Sequence, residues 1–274
     1  MKTDFDKVKK YYNEFEERNR LNKDYSGKLE FEMTMKILKK YLPQKATILD
    51  LGGASGTYTI PLAQIGYTMY LADLSPRLIE EAKKIIKDES INNVKSCELV
   101  NAIDLTKYED NKFDVVLLFG PLYHLLDIEE RRECIKEVNR VLKEDGIVFA
   151  SFIPYFAGSI AIIDRLFRHP EQVNIENLES VFSTGMFNNA SEKGFQEGYY
   201  AESEEIEKLF FDNGFEEMDI LSIRGIGYER EDNIYNFEDT EMFENIINII
   251  EKTSREREII ETCGHAMYIG KKKK

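Results

Sequence analysis

Apolar residues recur at helical spacing from the start of the chain. Val8, Tyr11, Tyr12 and Phe15 share one face, and a polar break at residues 22–27 follows. A second stripe of Leu29, Met33, Ile37, Leu38 and Tyr41 stops before Pro43. These stripes predict two amphipathic helices over residues 1–44, packed as a cap ahead of the main fold. Beyond residue 45 the pattern alternates. Residues 46–51 form a short apolar run closing on glycines, which predicts a buried strand, and the helical pattern behind it ends at Gly66. Residues 68–72 read as a second strand closing on Asp73. Ser75 is an N-cap with Pro76 at the first helical position, and Leu78, Ile79, Ala82, Ile85 and Ile86 supply that helix's inner face. Leu99 and Val100 mark a third strand, and residues 113–119 an apolar strand fit for a sheet centre. Asp127 with Glu130 predicts a capping box for a helix carrying Ile135, Val138 and Leu142, and Gly146 leads into a strand at 147–152.

Strands alternating with helices argue for a parallel sheet with helices on both faces. Residues 154–200 interrupt the alternation and are dense in aromatics, among them Tyr155, Phe156, Phe167, Phe182, Phe187, Phe195, Tyr199 and Tyr200. This insert is expected to act as a substrate lid, which leaves a core of residues 45–153 and 201–274. Within the second part, Ile206, Leu209 and Phe210 define a helix ending at Asn213-Gly214. A strand at 218–226, a polar helical excursion at 239–261 and a last strand at 265–269 follow.

A length of 274 residues allows one large α/β domain with insertions. The net charge of -14 repels phosphate backbones and anionic lipid, so neither nucleic acid nor membrane is an expected partner. The closing run Lys271, Lys272, Lys273, Lys274 reads as a solvated tail. Cys97, Cys134 and Cys263 are odd in number and widely spaced, and with His124, His169 and His265 they support neither disulfides nor a metal site. The charged N-terminus lacks the apolar core of a signal peptide and no stretch is long enough to span a bilayer, so a cytoplasmic location is expected.

The densest chemical signal is Asp50-Leu51-Gly52-Gly53-Ala54-Ser55-Gly56. A glycine turn between a first strand and its helix lets a ligand approach the backbone where a Cβ would collide with it. Asp73 ends the second strand roughly twenty residues on, the spacing at which a carboxylate reaches ribose hydroxyls. Dinucleotide binding would need GxGxxG, and from Gly52 its third and sixth positions are Ala54 and Thr57. A nicotinamide-dependent oxidoreductase is therefore disfavoured.

These residues resemble the first motif of class I S-adenosylmethionine (SAM)-dependent methyltransferases. Ala72-Asp73-Leu74-Ser75-Pro76 is similar to their second motif, Asn101-Ala102-Ile103-Asp104-Leu105 to their third, and the segment from Phe113 to Leu125 to the motif after the fourth strand. Its GPLYHL stretch resembles a bacterial branch of mostly uncharacterised small-molecule methyltransferases, and the likeness covers nearly the whole chain. It implies a Rossmann-like, mostly parallel seven-stranded sheet with an N-terminal helical cap and a helical insert after the fifth strand. It implies further that SAM is the co-substrate and that a small molecule is methylated on oxygen or nitrogen. The backbone of Gly52, Gly53, Ser55 and Gly56, beside Asp50, would face the methionine part of SAM. Asp73 would take the ribose and Leu74 the adenine. Asn101 would accept from the adenine amino group, Ala102 and Ile103 would cover the ring, and Phe119 with Gly120 would lie beneath the sulfonium. Tyr11 and Arg20 would reach the donor from the cap. His124 is the expected base or positioning residue, with Tyr123 orienting the acceptor, whereas His169 and His265 read as structural. A SAM-binding sensor without transfer activity is the alternative.

Overall fold

The computed structural model describes residues 2–14, 21, 23–192, 194–237 and 239–274; Phe15 and Arg20 lie outside them. Five strands run parallel: β1 (Thr47–Leu51), β2 (Thr68–Asp73), β3 (Val94–Leu99), β4 (Phe113–Leu118) and β5 (Leu142–Pro154), in the spatial order β3-β2-β1-β4-β5. A short hairpin of β6 (Met186–Asn188) and β7 (Glu197–Ala201) joins the end of β5, where Ile153 and Pro154 pair with Tyr200 and Ala201. On the other path out of β5, β9 (Ala266–Lys272) runs antiparallel between β5 and β8 (Phe215–Ser222). The sheet thus has the seven expected strands plus the insert's hairpin.

Side-chain alternation along the central strands builds two cores. Leu49, Val116, Leu118, Val148 and Ala150 pack in one core with Ile135, Val138, Ile206 and Leu209, while Ile48, Val115, Leu117 and Phe149 face the other layer. That second layer includes α2 (Tyr25–Tyr41), whose Leu29, Met33, Ile37 and Leu38 are buried. Burial of one such side chain contributes about 1.5–3 kcal/mol, so α2 is a layer of the core. Of the predicted cap, α1 (Phe5–Glu14) lies over the strand ends.

The remaining helices follow the alternation. After β1 comes α3 (Thr59–Gln64), after β2 α4 (Pro76–Asp88), and after β4 the short α5 (Pro121–His124) and then α6 (Ile128–Val141). The insert contributes α7 (Tyr155–Arg168) and α8 (Ile175–Thr184), which enclose a small core of Ile162, Val173, Val181, Phe187 and Tyr200. The chain then forms α9 (Ser203–Asp212), α10 (Glu231–Tyr235), α11 (Thr240–Thr253) and α12 (Arg257–Thr262). No helix among the described residues is long and apolar enough to cross a membrane.

Several sequence expectations change in the folded chain. The third strand is β3, starting at Val94, upstream of Leu99 and Val100: as an edge strand it is half-exposed and carries Lys95, Ser96 and Glu98, which mask its signal. Ser75 caps α4 as expected, accepting from the Leu78 amide. Asp127 caps α6, but Glu130 does not complete a capping box, because its carboxylate accepts the Thr3 amide at 3.1 Å. The strand expected at 218–226 begins at the buried Phe215 and ends at Ser222, whose hydroxyl accepts the Gly225 amide in a turn. The lysine run is not a free tail. Lys271 and Lys272 belong to β9, and the Lys272 ammonium donates to the carbonyls of Asn139 and Leu142 at 2.7 Å.

Candidate active site

β1 delivers the chain into the glycine turn at the carboxyl end of the sheet, where open α/β sheets bind ligands. Gly52 has φ +85°, and a Cβ there would lie 2.8 Å from Pro121 Cδ and 3.0 Å from the Phe119 carbonyl oxygen. The turn is held by its own amides. Gly52 and Gly53 N–H donate to the Ala72 carbonyl, Gly56 N–H to the Gly53 carbonyl, and Ala54 N–H to Asp73 Oδ2 at 2.9 Å. Asp73 Oδ1 accepts the Ser75 amide at 2.8 Å, so this buried carboxylate ties the β2 end to both flanking turns.

Beneath the turn Asp50 is fully buried. Oδ2 accepts the Thr59 hydroxyl at 2.6 Å, while Oδ1 has no partner among the described residues. Burial, with the nearby Asp73 charge adding to it, pushes the Asp50 carboxyl up to about 6; the Thr59 bond opposes the shift.

One chamber opens from this turn. Asp50, Gly52, Gly53, Asp73, Leu74, Asn101, Ala102, Phe119, Gly120, Tyr123 and His124 all line it, so most of the expected site residues come together. Asn101 Oδ1 is engaged by the Ile103 amide at 3.3 Å, which leaves it one further lone pair for a ligand. Ser55, Gly56 and Ile103 are not on the chamber wall: Ser55 is buried, Gly56 (φ +96°) packs beside Ile60, and Ile103 packs on the core. Tyr11 faces a separate cleft with Lys7, Lys10, Glu192 and Gln196, and its neighbour Tyr12 enters the chamber instead. Arg20 lies outside the described residues.

The far end of the chamber is built by the N-terminal helices and the last strand. Thr3, Phe5, Val8 and Tyr12 line it from the α1 region, Glu30 and Thr34 from α2, and Ser151, Ile223, His265 and Met267 from the sheet side. The described residues of the insert 154–200 are absent from the wall and reach it indirectly, through the Phe195 ring at 5.2 Å from the His124 ring. His124 is buried. Its Nε2 pairs with the Tyr12 hydroxyl at 2.8 Å, and Nδ1 has no partner at hydrogen-bonding geometry among the described residues; burial lowers the pKa to about 4, and the backbone of Glu197 opposes the shift. The ring is therefore neutral around pH 7 and only weakly basic.

Sequence reasoning missed Tyr12, Glu30, Thr34 and His265. A usable signal existed for two of them: Glu30 and Thr34, four apart, are polar positions beside the buried stripe of Leu29, Met33 and Ile37. Tyr12 differs from Tyr11 only in helical phase, and His265 reaches the chamber only through the sheet.

Residues 49–150 match a family model described as a methyltransferase domain. Among solved structures, a SAM-dependent methyltransferase from Methanosarcina mazei aligns at 19% identity and TM-score 0.60, over 86% of this chain and 97% of that one. Magnesium protoporphyrin IX methyltransferase from Synechocystis PCC 6803, solved with S-adenosylhomocysteine (SAH) bound, aligns at 16% identity and TM-score 0.58, over 98% and 99%. The fold is that of the SAM-dependent methyltransferases. Among curated proteins, the tRNA 5-carboxymethoxyuridine methyltransferase of Escherichia coli K12 is 26% identical over 117 residues, 43% of this chain and 44% of that protein. The chain thus spans less than half the length of that relative. The segment shared with this methyltransferase fold runs from β1 into β5 and contains the glycine turn, Asp73, Asn101 and the α5 turn.

Proposed function

We propose that the chain is a cytoplasmic SAM-dependent methyltransferase of a small-molecule branch, transferring methyl to an acceptor held in the far half of the chamber. One observation carries the reading: a single chamber joins the glycine turn and Asp73 to Tyr123 and His124, with Phe119 and Gly120 on its wall. The cradle suits SAM better than a dinucleotide. A dinucleotide turn carries glycine at the third and sixth positions from Gly52, where this chain has Ala54 and Thr57. The turn offers close backbone surface, and Asp73 offers the acceptor for ribose hydroxyls.

When bound, SAM supplies a methyl group activated by its sulfonium. The chain's residues then have to bind, orient and keep water out, work worth several kcal/mol when the reacting atoms are held in line. Leu74, Ala102 and Asn101 receive the adenine. Tyr123 and His124 orient the acceptor, His124 as a fixed neutral ring.

A small acceptor is supported by the roof that α1 lays over the chamber and by the net charge of -14, which repels nucleic acid. The insert holds that roof, since Lys7 donates to Asn188 Oδ1 at 2.9 Å and the Asp4 amide to Glu197 at 3.0 Å. The α1 region and the hairpin of the insert act together as a lid over the core.

Calorimetric titration tests the reading. SAM and SAH should bind and raise the melting temperature, as ligands selective for the native state do, and NAD and NADP should do neither. Binding of NAD without a response to SAM would overturn it.

A further inference from the structure

His265 stands at the far end of the chamber in a geometry that suits proton transfer. Its Nδ1 lies 3.1 Å from Glu30 Oε2, and Glu30 is buried on α2. Its ring stacks on Tyr123, with centroids 5.7 Å apart and planes 8° from parallel. The hydroxyl of that same Tyr123 lies over Gly120, 3.6 Å from where a Cβ would stand, so one side chain runs from the Gly120 turn to the imidazole. Backbone bonds fix the position: Ile223 N–H donates to the His265 carbonyl at 2.9 Å, and Gly264 before it turns at φ +73°.

A carboxylate on Nδ1 selects the tautomer with the proton on Nδ1 and the lone pair on Nε2, and it stabilises the imidazolium once Nε2 is protonated. No described residue bonds to Nε2. One turn along α2 from Glu30, the buried Thr34 hydroxyl also lines the chamber and has no partner among the described residues. The neighbouring wall of Ile223 and Met267 is apolar and disfavours a full charge on whatever lies against it.

We propose that His265, oriented by Glu30, is the general base of this chamber and that the acceptor is a neutral molecule presenting a hydroxyl group to Nε2. The proposal rests on the methyltransferase reading above. In the step it describes, the acceptor oxygen bonds to the methyl carbon as the carbon–sulfur bond breaks. The hydroxyl proton passes to Nε2, so the positive charge lost from sulfur ends on an imidazolium beside the Glu30 carboxylate. His265 is the catalytic residue, Glu30 a positioning residue, and Thr34 a hydrogen-bonding partner for the acceptor. An anionic carboxylate acceptor would need no base and would meet the Glu30 charge.

The test uses the full chain labelled with ¹⁵N on histidine and saturated with SAH, with phenol, benzylamine and benzoate as probes. Failure of SAH to bind overturns the methyltransferase reading itself; the remaining outcomes concern only this proposal. At pH 7.5 the expected signature is a His265 ring protonated on Nδ1 and bare on Nε2. Phenol should bind and move the Nε2 resonance, more tightly than either charged probe. Glu30→Gln should shift the tautomer toward Nε2–H, and Glu30→Asp should restore it in part. His265→Phe keeps a ring against Tyr123, and it should weaken phenol binding about fivefold, the worth of one neutral hydrogen bond, with SAH affinity unchanged within twofold. The proposal fails if wild-type His265 carries its proton on Nε2, if phenol does not bind or leaves the ring resonances unmoved, or if benzoate or benzylammonium binds more tightly. Should Glu30→Gln not fold, Glu30→Asp and His265→Phe decide between these outcomes.

Discussion

The Tyr12 hydroxyl sits 2.8 Å from His124 Nε2, so a residue of the first helix closes the turn that follows the fourth strand. The two rings meet edge to face at 5.4 Å. Tyr12→Phe leaves that packing in place and strips a buried nitrogen of its partner, which costs about 1–3 kcal/mol. Denaturant unfolding should record a loss in that range, while SAH affinity stays within about threefold, because Tyr12 lines the half of the chamber proposed for the acceptor. A loss of SAH binding as large as that from Asp73 variants would place Tyr12 with the donor instead.

His124 and Asp50 make opposite contributions to acid stability. The folded pKa of His124 is lowered to about 4, so its contribution is intact above the unfolded value of about 6.5 and is lost as pH falls toward 4. The folded pKa of Asp50 is raised to about 6, so its contribution is full below the unfolded value of about 3.9 and is lost as pH rises through 6. Between pH 4 and 6 the two largely cancel in the wild type. In His124→Gln only the Asp50 effect survives, and the stability difference between wild type and variant should move against the wild type by about 2 kcal/mol from pH 7.5 to pH 5. Urea unfolding at the two pH values measures it; a difference independent of pH would mean that the histidine titrates normally.

Asp73 holds the Ala54 and Ser75 amides and also faces the chamber. Asp73→Ala should lower SAM affinity at least tenfold, since a charge-assisted hydrogen bond contributes about 1.5–3 kcal/mol. Asp73→Asn separates the two roles. Its amide oxygen can still accept one turn amide, so most of the folding stability should be kept while SAM affinity falls. Calorimetry and thermal unfolding on the same samples would show whether affinity and stability part in this way.

Two glycines at positive φ should respond differently to alanine. Gly52 (φ +85°) would place its Cβ 2.8 Å from Pro121 Cδ, whereas Gly66 (φ +107°) has nothing within 4 Å. Both variants carry backbone strain of about 1–3 kcal/mol. Only Gly52→Ala should also push the α5 turn away and abolish SAM binding, with Gly66→Ala binding as the wild type does. Equal affinities in the two variants would show that the Pro121 contact yields without consequence.

Local periodicity determined much of this protein. The βα alternation, the Ser75 cap, the two N-terminal helices and the glycine turn with Asp73 follow from spacing over a few residues, because burial on a sheet or helix face has a fixed period and left-handed turns select glycine. Most of the chamber wall around the glycine turn was legible for the same reason: it sits at the ends of consecutive strands. Only the tertiary structure decided the rest. It brought Glu30 to His265 across 235 positions and Tyr12 to His124 across 112, pairings that no local pattern encodes. It docked Lys271 and Lys272 into β9, where Lys272 finds the carbonyls of Asn139 and Leu142. It also set the helical phase that turns Tyr12, rather than Tyr11, inward. A side chain's chemistry is written in the sequence, but its pKa, its partner and its place on a chamber wall are set by which distant surfaces bury it.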